Sequence, residues 1–141
     1  MNYSFNNSEL EIVFKFGKCE DRHMSVEVEY ENDVIAVKPT DGYASYKKSI
    51  HLPTSIKIRT FGKGIDDTKL DENGNIFEDM FVQIESISLD SFKLSDIYLH
   101  QKVSSITESG EEVISSYLGF NGETTINFFE KNTLFQICRH I

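Results

Sequence analysis

Residues 24–30 read MSVEVEY, and this stretch decides the fold class of the chain. Its apolar side chains stand at every second position from Met24 to Tyr30, with serine or glutamate between them. Because successive side chains of a β-strand point to opposite faces, this alternation predicts a half-buried strand. One face would join a core, and the other would present acids to water.

The same alternation recurs in short segments on both sides of this strand. We predict further strands at residues 10–14, 34–38, 50–60, 81–89, 92–94, 97–99, 114–118, 123–129 and 133–138. Pro53 interrupts the segment 50–60, which predicts a sheet edge or a bulge because proline donates no backbone hydrogen bond. In the segment 81–89 the apolar residues change parity between Ile84 and Ile87, so a bulge near Glu85 would restore one inward face.

Turn signals separate these segments. Two of them are Asn-Gly pairs, at residues 73–74 and 121–122, which are strong hairpin signals because both positions need positive φ. No segment keeps a 3.6-residue period, and the best helical candidate, 111–117, also favours a strand. About eight to ten short strands separated by turns indicate a β-sandwich or a barrel. We therefore predict one all-β domain over residues 1–141, an antiparallel β-sandwich of the jelly-roll type with little helix.

Length and composition indicate a soluble globular domain. The chain has 141 residues, of which 39% are hydrophobic, and its mean hydropathy is −0.33. A run of about 18 apolar residues is absent from the sequence, so we expect no membrane-spanning helix. The N-terminus has neither the basic start nor the apolar stretch of a signal peptide, so the expected location is the cytoplasm, with a virion as a second option.

The charge balance argues against nucleic acid as a partner. The formal net charge is −9 at pH 7, and the only arginines are Arg22, Arg59 and Arg139. Phosphate recognition favours clustered arginine or a basic face, and the sequence shows neither. The acidic balance favours partners that carry cations or a basic surface.

The most acidic stretch, residues 64–79, reads GIDDTKLDENGNIFED and contains six acids and one base. Oxygen ligands recur at alternate positions there, as a calcium loop requires, but Gly74 and Val82 occupy the wrong positions for an EF-hand. The alternative is a plain hairpin around the Asn-Gly pair, with Leu70 and either Ile76 or Phe77 packed inward, and this interpretation is favoured. If calcium binds, its candidate ligands are Asp66, Asp67, Asp71, Asn73, Asn75 and Asp79.

A second candidate site lies in the segment TDGYASYKK, residues 40–48. Tyr43 and Tyr46, beside Lys47, could form a flat exposed surface for the apolar face of a sugar ring. The alternative is that both rings cover an edge of the sandwich while their hydroxyl groups stay in water.

Motifs for catalysis are absent from the sequence, so we predict that the chain is not an enzyme. It has no nucleophile elbow, and Gly62 and Gly64 precede no helix that could bind phosphate. The four histidines are scattered and are interpreted as structural or surface residues. A disulfide between Cys19 and Cys138 is disfavoured because a reducing compartment keeps thiols free.

The segment FVQIESISLDSFKL, residues 81–94, resembles the strand–turn–strand of jelly-roll carbohydrate-binding modules. Those modules often carry V-x-I-x-x-I-x-L-D-G, and here the pattern runs from Val82 to Asp90, with Ser91 in place of the glycine. Similar small jelly rolls occur in phage virion proteins. The resemblance implies a non-catalytic domain that recognises a glycan, sometimes with bound calcium.

Two functions follow as hypotheses. The first is a module that binds a glycan or another surface ligand through Tyr43, Tyr46 and Lys47, with calcium as an optional cofactor. The second is a structural or interaction protein, such as a virion component or an inhibitor of a host protein. The second would form homo-oligomers or bind a protein partner with a basic surface.

Overall fold

Two antiparallel sheets and one separate hairpin form the described part of the chain. The computed structural model describes residues 7–94 and 103–129. The strands predicted at 97–99 and 133–138 lie outside these ranges, as do Cys138, His100 and His140. The predicted antiparallel β-sandwich is confirmed.

The strands divide between the two sheets as follows. The first sheet contains β1 (Asn7–Gly17), β4 (Tyr43–His51), β8 (Phe81–Leu89), β9 (Phe92–Lys93) and β12 (Tyr117–Leu118). The second contains β2 (Ser25–Tyr30), β3 (Asp33–Val37), β5 (Thr54–Phe61), β10 (Val103–Thr107), β11 (Glu112–Ile114) and β13 (Gly122–Phe128). The hairpin consists of β6 (Thr68–Leu70) and β7 (Ile76–Asp79), and one 3-10 turn, Ile65–Asp67, precedes it.

The chain passes repeatedly from one sheet to the other, as it does in jelly rolls. The strand order is β12-β8-β1-β4 in the first sheet, with β9 beside β8. In the second sheet the order is β11-β10-β13-β5-β2-β3. The described residues hold 13 strands, more than the eight to ten expected, because strands of two or three residues are too short to show an alternation.

Side chains from both sheets meet in one buried cluster. The four alternating apolar residues from Met24 to Tyr30 are all buried, as the pattern predicts. From the facing sheet, Ile12 and Phe14 of β1 are 0% exposed. A core of this kind is the main source of stability, because each fully buried large apolar side chain contributes about 1.5–3 kcal/mol.

The bulge predicted in β8 is confirmed. Val13 of β1 pairs with Ser86, whereas the next residue, Phe14, pairs with Ile84. Glu85 therefore has no opposite residue, and Ile84 and Ile87 both point into the core, where they are 2% and 0% exposed.

The segment 50–60 is not one strand, contrary to the prediction. β4 ends at His51 and β5 begins at Thr54, so Leu52 and Pro53 form the corner at which the chain changes sheets. The strand signal on both sides of Pro53 is real, but it belongs to two different sheets.

The tip of the predicted hairpin is present. Gly74 has a φ of +81°, and Asp71 Oδ1 accepts the backbone N–H groups of Asn73 and Asn75, each at 2.9 Å. These bonds hold the turn, because one carboxylate oxygen accepts both amide hydrogens.

The predicted inward packing of this hairpin is wrong. Leu70, Ile76 and Phe77 are 56%, 62% and 63% exposed. Within the described residues, β6 and β7 pair only with each other, and their tip extends beyond both sheets, so these three side chains remain in water. In the same ranges, no helix has the length and apolar character that a membrane crossing requires.

Candidate functional site

A groove of about 780 Å³ runs over the outer face of the second sheet. Its walls come from the end of β5, the end of β10 and the start of β13. The register places Arg59 of β5 opposite Glu123 of β13, and Glu123 opposite Ile106 of β10. Three segments that are far apart in the sequence thus form one surface.

The apolar part of the groove is formed by Phe61 and Ile106. Their side chains are 43% and 50% exposed. Both lie on the solvent face, because the parity of their strands turns the neighbouring Thr60 and Ser105 inward, where each is buried. The groove therefore offers a ring face and an aliphatic surface to any molecule that enters it.

The polar part of the groove is an ordered ion-pair network. Arg59 Nη2 donates to Glu29 Oε1 at 2.8 Å, and Arg59 Nε lies 3.4 Å from Glu123 Oε2. The hydrogen bond to Glu29 raises the pKa of Arg59, so the guanidinium remains charged. A planar guanidinium held on two sides presents its remaining donors in fixed directions.

Two polar contacts of Asn121 and the absence of a side chain at Gly122 shape the rim of the groove at the start of β13. Asn121 Oδ1 accepts the N–H of Lys63 at 2.9 Å, and Asn121 Nδ2 donates to Glu108 Oε2 at 3.1 Å. Gly122, expected in a hairpin turn, is instead the first residue of β13. A Cβ there would lie 2.4 Å from the carbonyl oxygen of Ile106, so only glycine allows β10 and β13 to approach this closely.

This arrangement is suited to binding. Fixed donors and acceptors lie beside an exposed apolar surface, the usual composition of a ligand site that recognises a molecule with both kinds of surface. The two carboxylates of the groove are already engaged, Glu123 with Arg59 and Lys57, and Glu108 with Asn121.

The tyrosines predicted as a ligand surface lie on opposite faces of β4. Tyr43 is 47% exposed, whereas Tyr46 points inward and is 3% exposed. The two rings therefore cannot form one flat surface, because residues three apart in a strand have opposite parity. Tyr46 and Lys47 do line one cavity of about 370 Å³ between β3 and β4. A ligand contact by any of the three stays a prediction.

The Tyr46 hydroxyl is buried without a hydrogen-bond partner among the residues that the structure describes. Burial raises the pKa of this group, so it stays protonated. Since an unsatisfied buried hydroxyl destabilises the fold, we expect Tyr46→Phe to raise the free energy of unfolding by about 1 kcal/mol in denaturant titrations. Tyr43→Phe, at an exposed hydroxyl, is the control and should change nothing. A less stable Y46F variant would contradict the assignment.

Two of the six predicted calcium ligands, Asp67 and Asp79, bind side chains of the protein itself. Both carboxylate oxygens of Asp67 contact the guanidinium of Arg22, and Oδ2 also accepts the N–H of Gly64 at 2.7 Å. The Gly64 amide and the Arg22 charge lower the pKa of Asp67. Asp67 is 1% exposed. Its contact with Arg22 attaches the 3-10 turn to the rest of the protein.

Asp79 is at the centre of a second network. Its Oδ1 accepts hydrogen bonds from Lys63 Nζ at 2.7 Å and Thr68 Oγ1 at 2.6 Å, and its Oδ2 accepts one from the Tyr117 hydroxyl. Burial alone would raise the pKa of Asp79, but these three donors outweigh it and lower the pKa. The Tyr117 ring stacks on Phe81 with 4.8 Å between ring centroids.

The remaining predicted ligands do not join these acids. Asp66 is exposed, and Asp71 binds the backbone of its own turn, where Asn73 and Asn75 lie. Over residues 7–94 and 103–129, no group of three or more His, Cys, Asp or Glu side chains could hold a metal ion. The six side chains therefore belong to three separate sets of contacts, and a calcium site there stays a prediction.

The groove is the feature that the sequence interpretation missed. Its residues occur at 59–62, 106–108 and 121–123, and no local motif connects them. The one available signal was a break in parity: Phe61 and Ile106 are large apolar residues at polar-face positions of otherwise regular strands.

No protein-family model matches the sequence, and no curated protein sequence matches it. Among solved structures, a selenomethionine form of vCBM60 is 14% identical, covers 85% of this chain and 90% of its own, and has a TM-score of 0.50. Its description links two families of calcium-dependent carbohydrate-binding modules by circular permutation. vCBM60 in complex with galactobiose is 12% identical over 84% of this chain and 97% of its own, with a TM-score of 0.48. At 14% identity the first similarity shows the fold alone. It confirms the fold that the resemblance of residues 81–94 implies.

Proposed function

We propose that this chain is a non-catalytic module that binds a glycan in the groove on its second sheet. The observation that carries the proposal is that the exposed side chains of Phe61 and Ile106 line one groove together with the Arg59–Glu123 pair. A sugar has one face of C–H groups and a rim of hydroxyls, so it needs an apolar surface and oriented hydrogen-bonding groups side by side.

Each side chain then has a defined role. Phe61 stacks on the C–H face of a sugar ring, and Ile106 extends this apolar contact to the next unit. Arg59 donates to hydroxyl oxygens, while Glu123 accepts from hydroxyl hydrogens, and charged partners make these bonds stronger than neutral ones. The groove is open to solvent, so an internal stretch of a longer chain can lie in it.

The structural comparison supports the proposal. The β-sandwich that this chain resembles is described as a calcium-dependent carbohydrate-binding module, which makes a glycan ligand a natural first test. The proposal does not include calcium, because the carboxylates of Asp67 and Asp79 are paired with Arg22 and Lys63.

The test is an array of neutral oligosaccharides, probed with and without calcium. We expect binding by the wild-type protein, and we expect Phe61→Ala to weaken it about tenfold or more through loss of the stacked ring. Tyr43→Ala is the matched control, since the Tyr43 ring lies on the other sheet and is similar in exposure to Phe61. Circular dichroism verifies that both variants fold.

The two variants distinguish the candidate sites. Weaker binding of Y43A with unchanged binding of F61A would place the ligand at β4, the site that the sequence suggests. An array without any signal in either condition would contradict glycan binding altogether.

A further inference from the structure

The hairpin of β6 and β7 and the turn before it expose an apolar surface of four large side chains to water. Leu70 pairs directly with Ile76 across the two strands, and Phe77 follows. The three are 56%, 62% and 63% exposed, and Ile65 in the preceding turn is 98% exposed. Single exposed apolar residues are ordinary on protein surfaces, whereas four on one short segment indicate an interaction surface.

This exposure does not come from a loosely attached segment. Asp67 and Asp79, at the two ends of the hairpin, bind Arg22 and Lys63 of the body. The backbone N–H of Met80, which is 0% exposed, donates to the Asp67 carbonyl at 2.9 Å. The base is therefore fixed, and the apolar side chains project from a defined position.

The charges around the apolar surface determine what can bind to it. Asp66, Asp71, Glu72 and Glu78 belong to the same segment, and its one base, Lys69, is paired with Glu20. An apolar centre with an acidic rim is complementary to an apolar groove with a basic rim.

The same charges disfavour two other occupants. A second copy of this chain carries a net charge of −9, so two acidic hairpins or a hairpin and an acidic body would repel each other. An anionic lipid surface would repel the acidic rim for the same reason.

We propose that the hairpin is a docking element for a protein partner whose surface has an apolar groove bordered by lysine and arginine. Leu70, Ile76 and Phe77 are the anchors that enter the groove, and the acids orient the encounter. The three anchors are not among the residues that line the glycan groove, so the proposal does not depend on glycan binding.

The test uses a displayed library of small folded domains with a randomised concave surface, selected on the wild-type protein alone. We expect the dominant binders to be enriched in Lys, Arg and apolar residues. Their affinity should fall at least about tenfold for the variant L70S/I76S/F77S and should weaken with added salt.

Two further variants keep the result interpretable. Ile114→Ser, at a side chain that is 56% exposed on the second sheet, is the matched control and should bind like the wild type. Phe77→Ser alone, at an anchor that is 63% exposed, provides an independent test if the triple variant fails to fold. Binders that keep their affinity for both hairpin variants, or that carry no basic residues, would overturn the proposal.

Discussion

Replacing Asp67 with alanine should lower the melting temperature by about 8 °C. The carboxylate is 1% exposed and binds both the guanidinium of Arg22 and the N–H of Gly64. Alanine removes both charge-assisted bonds and leaves a cavity beneath the 3-10 turn. Calorimetry or thermal circular dichroism measures the change.

Asp66→Ala is the matched control, because it deletes the same side chain one residue earlier, where the carboxylate is exposed. It should shift the melting temperature by about 1 °C or less. Equal effects at both positions would show that the segment responds to its charge alone, and that the contacts of Asp67 contribute nothing specific.

The Asp67 effect should also depend on pH in a defined direction. The Gly64 amide and Arg22 lower the pKa of Asp67 in the folded protein, whereas in the unfolded chain it is about 3.9. The contribution is therefore fully present above about pH 4 and is lost as the pH falls through the folded-state value. The difference in stability between wild type and D67A should accordingly shrink in acid. A difference that grows below pH 4 would have the wrong sign.

Periodicity predicted the core residues because the alternation along a single strand determines which of its side chains are buried. Met24 to Tyr30 alternate, and all four apolar residues are buried. The change of parity between Ile84 and Ile87 even located the bulge at Glu85, since only a bulge could bury both residues. The hydrophobic effect acts on each side chain separately, so the sequence carries this information directly.

Contacts between distant segments were not predictable in the same way. Asp67 and Asp79 look like their neighbours in the acidic segment, and only the fold shows that they face Arg22 and Lys63. The counterions come from positions 45 and 16 residues away. No spacing rule connects them, so the segment was interpreted as one group of solvated acids or calcium ligands.

The predicted inward packing of the hairpin was wrong for a different reason. Apolar residues in a strand usually face a core, which is why Leu70 and either Ile76 or Phe77 are expected to point inward. That rule holds only for strands that join a larger sheet, whereas β6 and β7 pair only with each other among the described residues. Functional surfaces are where such local rules are expected to fail.

The Lys63–Asp79 pair should account for the second large stability effect. Both side chains are 13% exposed, with Lys63 Nζ 2.7 Å from Asp79 Oδ1. Lys63→Met leaves a buried carboxylate without its counterion, and we expect a loss of about 2–3 kcal/mol in the free energy of unfolding. Thr68 and Tyr117 still donate to Asp79, which keeps the loss at the lower end of the range for broken buried pairs.

A double-mutant cycle separates the pair from its surroundings. In K63M/D79N neither charge remains, so the loss should be clearly smaller than the sum for the single variants, by about 1–2 kcal/mol. The exposed pair of Lys47 and Glu11, 3.6 Å apart with Lys47 75% exposed, is the control, and K47M should cost less than about 0.5 kcal/mol. Strict additivity at Lys63 and Asp79 would contradict a coupled pair. In that case the pair could not be what fixes the base of the hairpin, because a rigid anchor requires that each partner depend on the other.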